Sequence, residues 1–282
     1  MINNKHILIC CDLDRTLLPN GPQTESPQAR KLFARLAQRP EVHLAYVSGR
    51  DKRLVLNAIE EYEIPIPDYV IGDVGTTIYS IDNNHWQGWT AWQEEISGDW
   101  NGMHREDLAP LLSDISELQL QEPEKQNQYK LSYYTESKFD KENILKSIEA
   151  ILYAKNIKAS LIWSLDELTN TGLLDVLPQS ANKLHAINFL IQYEKYQPAQ
   201  VIFAGDSGND IPVLTSSIQS VIVNNALTEV KQQAIQLAKL NKTEQQLYLA
   251  KGGLLGMNGN YSAGILEGLV YYLPETQQWL SL

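Results

Sequence analysis

The sequence contains little cysteine and no long apolar run. Its only two cysteines, Cys10 and Cys11, are adjacent, and neighbours on a strand point to opposite faces, so they are poorly placed for an ordinary disulfide. We expect them to be small core residues in a reducing compartment. No stretch reaches the ~18 consecutive apolar residues of a membrane span, and the first residues lead into an apolar strand without a signal-peptide core. These absences predict a cytoplasmic protein that does not associate with a membrane.

The sequence also lacks net positive charge. Its formal net charge is −11 over 282 residues, so it offers no broad basic face of the kind that binds nucleic acid or an anionic membrane. An anionic ligand would therefore have to meet local positive charge. With 43% hydrophobic residues, the chain can build a full core, which excludes a disordered protein. Four histidines show no metal-ligand spacing: His43, His85, His104 and His185.

Apolar segments alternate with helical segments at both ends of the sequence. Residues 6–14 (HILICCDLD) precede a segment with apolar residues at helical spacing, and VHLAYVSGR, DKRLVLNAIEEYE and DYVIGDVGTTIYS continue the alternation. The same order returns later with AQVIFAGDSGND and the helical ALTEVKQQAIQLAK. Parallel strands joined by helices produce this pattern. The sequence therefore predicts an α/β fold with a doubly wound, mostly parallel sheet.

The middle of the sequence has a different composition. Two helical segments, REDLAPLLSDI and KENILKSIEAILYAKN, alternate with YKLSYYT and KASLIWSL, which have strand periodicity. We predict an inserted α+β cap domain at residues 83–171, between core parts at residues 1–82 and 172–282. Tryptophans are concentrated at its start: Trp86, Trp89, Trp92 and Trp100. We assign them to the cap's own core or its contact with the core domain, with sugar stacking as the alternative.

Polar residues follow three predicted strands at the point where each ends. Asp12 and Asp14 end the first strand, residues 48–50 (SGR) end the second, and residues 205–210 (GDSGND) end a later one. In a doubly wound sheet, ligands bind beyond the carboxyl ends of the strands. Residues two apart in extended chain point to the same side, so these carboxylates would converge and repel one another unless a cation lay among them. An all-oxygen ligand set of this kind favours Mg²⁺.

Each feature alone also has a plain structural explanation. Strand-end aspartates often cap turns, Ser48 could cap a helix that begins at Asp51, and GDSGND could be a Gly-rich turn before the helix at Pro212. Lys183 would ordinarily be a solvated helix residue. The four features together, in this order, favour a catalytic site instead.

The four segments resemble, in order, the four motifs of the haloacid dehalogenase superfamily of phosphohydrolases. These are DLDRTLL, VSGR, the helix opened by Lys183, and GDSGND. An insertion between the second and third motifs resembles the class with a large α/β cap. Over nearly the whole chain, PDYVIGDVGTTIY, YKLSYY, LLDVLPQSANK and SAGILEGL are similar to segments of the sucrose-phosphate phosphatases. Arg15 and Thr77 depart from that family, which usually has a small or amide residue and an acidic residue there, and SLDELTNTG is an atypical approach to the third motif.

The resemblance implies a role for each motif residue. Asp12 would be the nucleophile that forms an aspartyl phosphate, and Asp14 would act as acid and then base. Ser48 and Lys183 would bind the phosphoryl oxygens. The implied Mg²⁺ ligands are Asp12, Asp14 through its backbone carbonyl, Asp206, and Asp210, which would ligate the ion or hold a water bound to it. The implied supporting residues are Thr16, Gly49, Arg50 and Asn209.

The cap would select the leaving group. Strand alternation places Lys130, Ser132 and Tyr134 on one face of their strand, and the resemblance favours Lys130 and Ser132 as the sugar-facing residues. The alternative is an exposed sheet face with a solvated lysine.

The sequence thus predicts a Mg²⁺-dependent sugar-phosphate phosphatase that works through an aspartyl phosphate, with sucrose 6-phosphate as the favoured substrate. The alternatives are another glycosyl or monosaccharide phosphate, or a non-catalytic phospho-sugar binding module. The expected partner is a small-molecule sugar phosphate, not nucleic acid or a membrane. We expect a monomer, with a weak dimer as the alternative.

Overall fold

The computed structural model describes residues 6–136, 141–166 and 169–280. Within these ranges the strands, in chain order, are β1 (Ile7–Cys11), β2 (Val42–Val47), β3 (Tyr69–Gly72), β4 (Thr77–Asp82), β5 (His85–Gly88), β6 (Gln119–Leu120), β7 (Leu131–Glu136), β8 (Ala159–Asp166), β9 (Thr171–Pro178), β10 (Val201–Gly205), β11 (Gln219–Ile222) and β12 (Leu247–Leu249). The helices are α1 (Ala29–Ala37), α2 (Lys52–Tyr62), α3 (Thr90–Ser97), α4 (Arg105–Leu108), α5 (Lys141–Tyr153), α6 (Lys183–Tyr193), α7 (Ile211–Leu214), α8 (Thr228–Asn241) and α9 (Ser262–Tyr272).

The larger sheet has the strand order β12-β11-β10-β1-β2-β3-β4-β5. The six strands from β12 to β3 pair in parallel, and β4 and β5 add an antiparallel edge. The chain proceeds from β1 outward through β2 and β3, and later from β10 outward through β11 and β12. The strand order therefore reverses between β1 and β10, which is where such sheets bind their ligands. The predicted α/β, doubly wound, mostly parallel fold is confirmed.

The central strand β1 is buried on both faces of this sheet. Cys10 belongs to one apolar cluster with Leu8, and Cys11 belongs to the opposite one with Ile9. Both cysteines are free and fully buried, and burial raises the pKa of both thiols. The two residues are therefore core residues on opposite faces, as their adjacency predicts.

The smaller sheet is antiparallel, with the order β6-β7-β9-β8. One of its faces carries Tyr133 and Leu174, which pack in the same apolar cluster as Ile148 of α5. The other face carries the polar side chains of Ser132 and Asp175, which are register partners. The inserted α+β cap that the sequence predicts is this sheet with its covering helices, but it has β6 and β9 in addition to the two strands recognised from the sequence.

The strands next to the predicted domain boundaries, β5 and β9, do not belong to the sheets that these boundaries assign them to. β5 pairs with β4 in the larger sheet, because Asn83 and Asn84, both at positive φ, form a tight hairpin turn of the kind that favours asparagine. β9 pairs with β7 and β8 in the cap sheet, because its apolar residues alternate with strand period. By sheet pairing, the chain leaves the core sheet after β5 and the cap sheet after β9. The boundaries at 82/83 and 171/172 are therefore misplaced relative to the sheets.

Trp92 and Trp100 lie in the apolar interior of the cap and along its contact with the core, whereas Trp86 lies on β5 of the larger sheet. Trp92 of α3 is fully buried, its Nε1 donates to the carbonyl of Gly75 at 3.1 Å, and its ring lies 5.1 Å from that of Phe189 in α6. Trp100 is also buried and packs on Tyr129 within the cap. These two side chains have no surface left for sugar stacking. Among the described residues, no helix is both long and apolar enough to cross a bilayer.

Candidate active site

Asp12 directly follows β1 at the point where the strand order reverses. Its backbone N–H donates to the carbonyl of Ala204 at 2.9 Å, which ties it to the end of β10. Its side chain is almost fully buried. The sheet therefore places this carboxylate at the centre of the carboxyl edge, with the β10 loop beside it.

Lys183 begins α6, and its ammonium lies among the site carboxylates. The helix is positioned by its N-cap, Asn182, whose Oδ1 accepts the N–H of His185 at 3.0 Å. The Lys183 Nζ donates to Asp12 Oδ1 at 2.9 Å and to Asp210 Oδ1 at 2.7 Å. It also donates to Asn209 Oδ1 at 3.3 Å. Lys183 is buried, so the solvated-helix interpretation does not hold.

The β10 loop holds its own carboxylates by backbone hydrogen bonds. Asp210 Oδ2 accepts the N–H groups of Asp206 and Ser207, both at 3.1 Å. Asp206 Oδ1 accepts the hydroxyl of Thr16 at 3.1 Å. Gly205 makes this fold of the loop possible, since a Cβ there would lie 2.6 Å from Asp210 Cγ. The GDSGND loop therefore forms a hydrogen-bonded carboxylate cluster rather than an ordinary turn.

The carboxylates of this cluster fit a divalent cation. Asp12, Asp206 and Asp210 each offer an oxygen, and these oxygens all lie within 4.8 Å of one another. Among the cationic side chains that the structure describes, Lys183 alone hydrogen-bonds to the cluster, while Arg15 Nε lies 3.6 Å from Asp206 Oδ2. The negative charge of the three buried carboxylates is thus larger than the positive charge in close contact with them. Their all-oxygen donor set suits Mg²⁺.

Burial and the neighbouring charges shift the pKa values of these groups. Burial raises the pKa of Asp12, and the neighbouring Asp210 and Asp206 add to the rise while Lys183 opposes it. Burial and the nearby Asp210 carboxylate raise the pKa of Asp206 to about 6. Burial alone would lower the pKa of Lys183, but Asp12 and Asp210 together raise it. A bound cation would relieve the carboxylate–carboxylate repulsion that adds to the effect of burial at Asp12 and Asp206.

Asp14 lies outside the cluster of buried carboxylates. Its two oxygens accept a forked pair of bonds from Arg50, at 2.9 Å from Nε and 2.6 Å from Nη2, and Asn20 donates to Oδ1 at 2.7 Å. Burial would raise its pKa, but the Arg50 and Asn20 contacts outweigh it and lower the pKa. The structure therefore holds the Asp14 side chain ionised on the rim. Its predicted metal contact, through the backbone carbonyl, does not require this side chain.

Ser48 and its neighbours form the adjacent part of the rim. Ser48 is buried, its N–H donates to Ile71 O at 2.9 Å, and its Oγ accepts the N–H of Arg50 at 3.2 Å. The cap of α2 is Asp51, whose carboxylate accepts the N–H of Leu54. The helix-capping explanation of Ser48 is therefore wrong, while Gly49 lies exposed on the loop.

The cap residues Lys130 and Ser132 are buried, not solvated. Ser132 Oγ donates to Asp175 Oδ1 at 2.5 Å across the sheet. Lys130 Nζ lies 4.0 Å from Asp73 Oδ1 of the core domain. Ser132 is thus bound within the cap, whereas Lys130 extends to the seam between the domains.

The sequence reasoning missed several residues of the rim. Asn225 is buried and its Nδ2 donates to the carbonyl of Arg15 at 2.6 Å, which fixes the backbone of the first motif loop. Asn224 and Asn225 follow β11, so polar residues after a further strand at the same edge were the available signal. Asp73, which follows β3, offered the same signal. Asp175 sits inside a strand, and no local pattern distinguished it.

Comparison with known proteins agrees with this geometry. The family model of sucrose-6F-phosphate phosphohydrolase matches residues 5–273. A HAD-like hydrolase of Nitrosococcus oceani is 56% identical over 274 residues, which cover 97% of this chain and 74% of the relative. The mannosylfructose-phosphate phosphatase of Agrobacterium fabrum is 30% identical over 226 residues, 79% of this chain and 85% of that protein. The sucrose-phosphatase of Synechocystis sp. PCC6803, solved with sucrose and phosphate, has a TM-score of 0.70 at 25% identity and covers 95% of this chain and 98% of its own.

The chain belongs to the sucrose-6F-phosphate phosphohydrolase family. It is accordingly a haloacid dehalogenase superfamily phosphohydrolase, and its reaction is hydrolysis of a phosphoric monoester. The resemblance and the enzyme class that the sequence predicts are confirmed, and the non-catalytic module is set aside. Sugar phosphates are the substrate class. Phosphatases of this superfamily generally use Mg²⁺, and the chain has an acidic group that could bind a metal.

Gly205→Ala tests the dependence of the cluster on close packing in the β10 loop. The added methyl group would displace the Asp210 side chain, so we expect phosphatase activity to fall at least about tenfold and stabilisation by Mg²⁺ to weaken. Gly208→Ala in the same loop is the matched control, because a Cβ there meets nothing within 4 Å. Activity and thermal shift with added Mg²⁺ would be measured for both. Equal behaviour of the two variants would contradict the role of Gly205.

Proposed function

We propose that this enzyme hydrolyses sucrose 6-phosphate in a Mg²⁺-dependent reaction through an aspartyl phosphate on Asp12. The observation that carries the proposal is the placement of Asp12: a buried carboxylate at the strand-order reversal, 2.9 Å from a lysine ammonium and beside two further aspartates. A nucleophilic carboxylate splits one difficult displacement at phosphorus into two easier steps.

The residues around Asp12 serve the phosphoryl group. The Lys183 ammonium and the Ser48 hydroxyl would stabilise the negative charge on the phosphoryl oxygens in the transition state. Asp12, Asp206, Asp210 and the carbonyl of Asp14 would hold Mg²⁺. When bound, the ion would supply charge neutralisation between the nucleophile and the phosphate. Thr16, which bonds Asp206, and Asn209, which bonds Lys183, fix the positions of these groups, and Gly49 lies exposed beside Ser48.

Asp14 is the proposed proton-transfer residue. Its ionised carboxylate on Arg50 is in the state required to accept a proton from the water that cleaves the aspartyl phosphate. To protonate the leaving sugar oxygen, the Asp14 carboxyl group must first carry a proton. A weaker contact with Arg50 would raise the pKa of Asp14 and so favour this protonated form. The Arg50 contact thus provides a means to switch between the two steps.

Sucrose 6-phosphate is the substrate that the family match and the sucrose-bound Synechocystis relative support. The second candidate is another disaccharide phosphate, which the mannosylfructose-phosphate phosphatase of Agrobacterium favours. Thr77, at a position that is usually acidic in sucrose-phosphate phosphatases, is the residue that makes this second candidate worth testing. Both candidates carry a second sugar ring for the cap to bind.

Asp12→Asn should abolish phosphatase activity while the protein still folds, because the amide keeps the shape but lacks the anionic nucleophile. Activity would be measured on an aryl phosphate with Mg²⁺ and after chelation, which should inactivate the wild type as well. Asp51→Asn is the matched control, since asparagine caps a helix about as well as aspartate. Activity of Asp12→Asn within about tenfold of wild type would refute the covalent route.

Asp14→Asn should lower kcat much more than it raises KM. The variant loses the group that transfers the proton but keeps the backbone carbonyl, so the loss falls on an interaction made in the transition state. Steady-state kinetics on one sugar phosphate would show the split. An unchanged kcat with a raised KM would instead place Asp14 in substrate binding.

The wild-type enzyme should prefer sucrose 6-phosphate over glucose 6-phosphate and fructose 6-phosphate by at least about tenfold in kcat/KM, the effect of one good contact to the second ring. A panel of phosphorylated sugars would measure this preference. A monosaccharide phosphate that proved equal or better would overturn the assignment of a disaccharide.

A further inference from the structure

A charged pair joins the core domain to the cap at the rim of the site. Asp73 follows β3 in the core, and Lys130 precedes β7 in the cap. Lys130 Nζ lies 4.0 Å from Asp73 Oδ1, and both side chains are about nine-tenths buried, at 10% and 9% exposure. The pair therefore lies inside the seam between the two domains.

The two charged groups are not in direct hydrogen-bond contact. A direct ammonium–carboxylate hydrogen bond has a length of about 2.7–2.9 Å, so the 4.0 Å separation leaves the close contact unmade. Asp73 Oδ2 accepts the hydroxyl of Thr77 at 3.1 Å. Burial and the nearby Asp51 raise the pKa of Asp73, although Lys130, Thr77 and Asn127 oppose the rise. Buried charges are costly unless they are hydrogen-bonded, and a further donor at Asp73 would lower that cost.

The turn that carries Asp73 packs between two segments of the catalytic site. The Asp73 N–H donates to the carbonyl of Arg50 at 2.9 Å, and the Arg50 side chain holds Asp14. On the other side, a Cβ at Gly75 would lie 2.9 Å from the backbone of Asn182, the residue before Lys183. A ligand that reached Asp73 would therefore also lie at the rim of the catalytic crevice.

The backbone of this turn has an unusual conformation. Asp73 and Val74 both have left-handed φ values, 51° and 59°. A β-branched residue such as valine rarely adopts this region, and such residues concentrate at functional sites, where the surrounding structure holds them. The conformation presents the Asp73 carboxylate toward Lys130 and Thr77.

We propose that Asp73 is a specificity-determining residue that binds a hydroxyl group of the leaving sugar together with Lys130. A hydroxyl between them donates to the Asp73 carboxylate and accepts from the Lys130 ammonium, so one group satisfies both charges. Each domain supplies half of this subsite. Thr77 fits the same arrangement. Position 77 carries no carboxylate in this chain, and the Thr77 hydroxyl instead donates a hydrogen bond to the carboxylate of Asp73. The inference rests on the proposed function and refines its sugar specificity.

The test compares Asp73→Asn, Lys130→Met and the double variant with wild type. The measured quantity is kcat/KM on sucrose 6-phosphate divided by kcat/KM on p-nitrophenyl phosphate, which is too small to bridge the pair. Because a hydrogen bond to a charged group contributes substantially to binding, we expect the ratio to fall about ten- to a hundredfold in each single variant. The double variant should lose less than the product of the two single losses, since both residues bind the same hydroxyl.

Glu95→Gln is the matched control. Glu95 Oε1 pairs with His185 Nε2 at 3.1 Å, so this variant removes the carboxylate charge from another contact between cap and core and leaves Asp73 and Lys130 unchanged. Its substrate ratio should stay within about threefold of wild type. A second readout is product inhibition, in which Asp73→Asn should weaken inhibition by sucrose more than inhibition by inorganic phosphate.

The possible outcomes separate this inference from the proposed substrate. If the Asp73 and Lys130 variants lower kcat/KM equally on both substrates, or change it on neither, the ratio is unchanged. The pair is then a structural link and the inference is overturned. If the wild type prefers a different sugar phosphate, the ratio is measured with that substrate. A fall of the ratio there supports the subsite while the sucrose assignment fails.

Discussion

The site depends on one buried ammonium. Lys183 bonds at once to Asp12 and Asp210, and this contact makes it possible to bury aspartates from two distant parts of the chain side by side. Isolated buried carboxylates would take up protons or open the loop. With Lys183 in place, Asp12 can stay ionised, as its proposed role as nucleophile requires, and the cluster retains an excess of negative charge that a divalent cation could balance. The start of α6, its Asn182 cap and the close approach of Gly75 all determine where that ammonium lies.

The contact between cap and core is built on the same elements. Trp92 donates to Gly75 O and packs on Phe189 of α6, so the cap is attached to the segment that positions Lys183. Asn127 of the cap donates to Thr76 Oγ1 at 2.8 Å in the same turn. The turn after β3 therefore contacts both the cap, where we propose that the sugar is selected, and the segment that positions Lys183.

Much of the fold could be predicted from the sequence because its signals are local. The alternation of apolar runs and helical segments indicates a parallel sheet, and the order of the strand-end motifs brings Asp12 and GDSGND to one edge. The assignment of β9 failed because its strand period does not reveal which sheet it joins. The forked Asp14–Arg50 contact and the Asp73–Lys130 pair were not predictable, because each joins residues whose proximity depends on tertiary packing and has no spacing signature.

The position of the cap within the chain also bears on how the enzyme is made. Thr16 and Asp206, whose side chains are hydrogen-bonded, are 190 residues apart in sequence, and β1 cannot pair with β10 until the whole insertion has been synthesised. Closing a loop of that length is slow, and the cost falls if the insertion has already become compact. A nascent chain that has emerged only through the cap therefore contains Asp12, the proposed nucleophile, but no assembled site. It cannot act on sugar phosphates before synthesis of its last third.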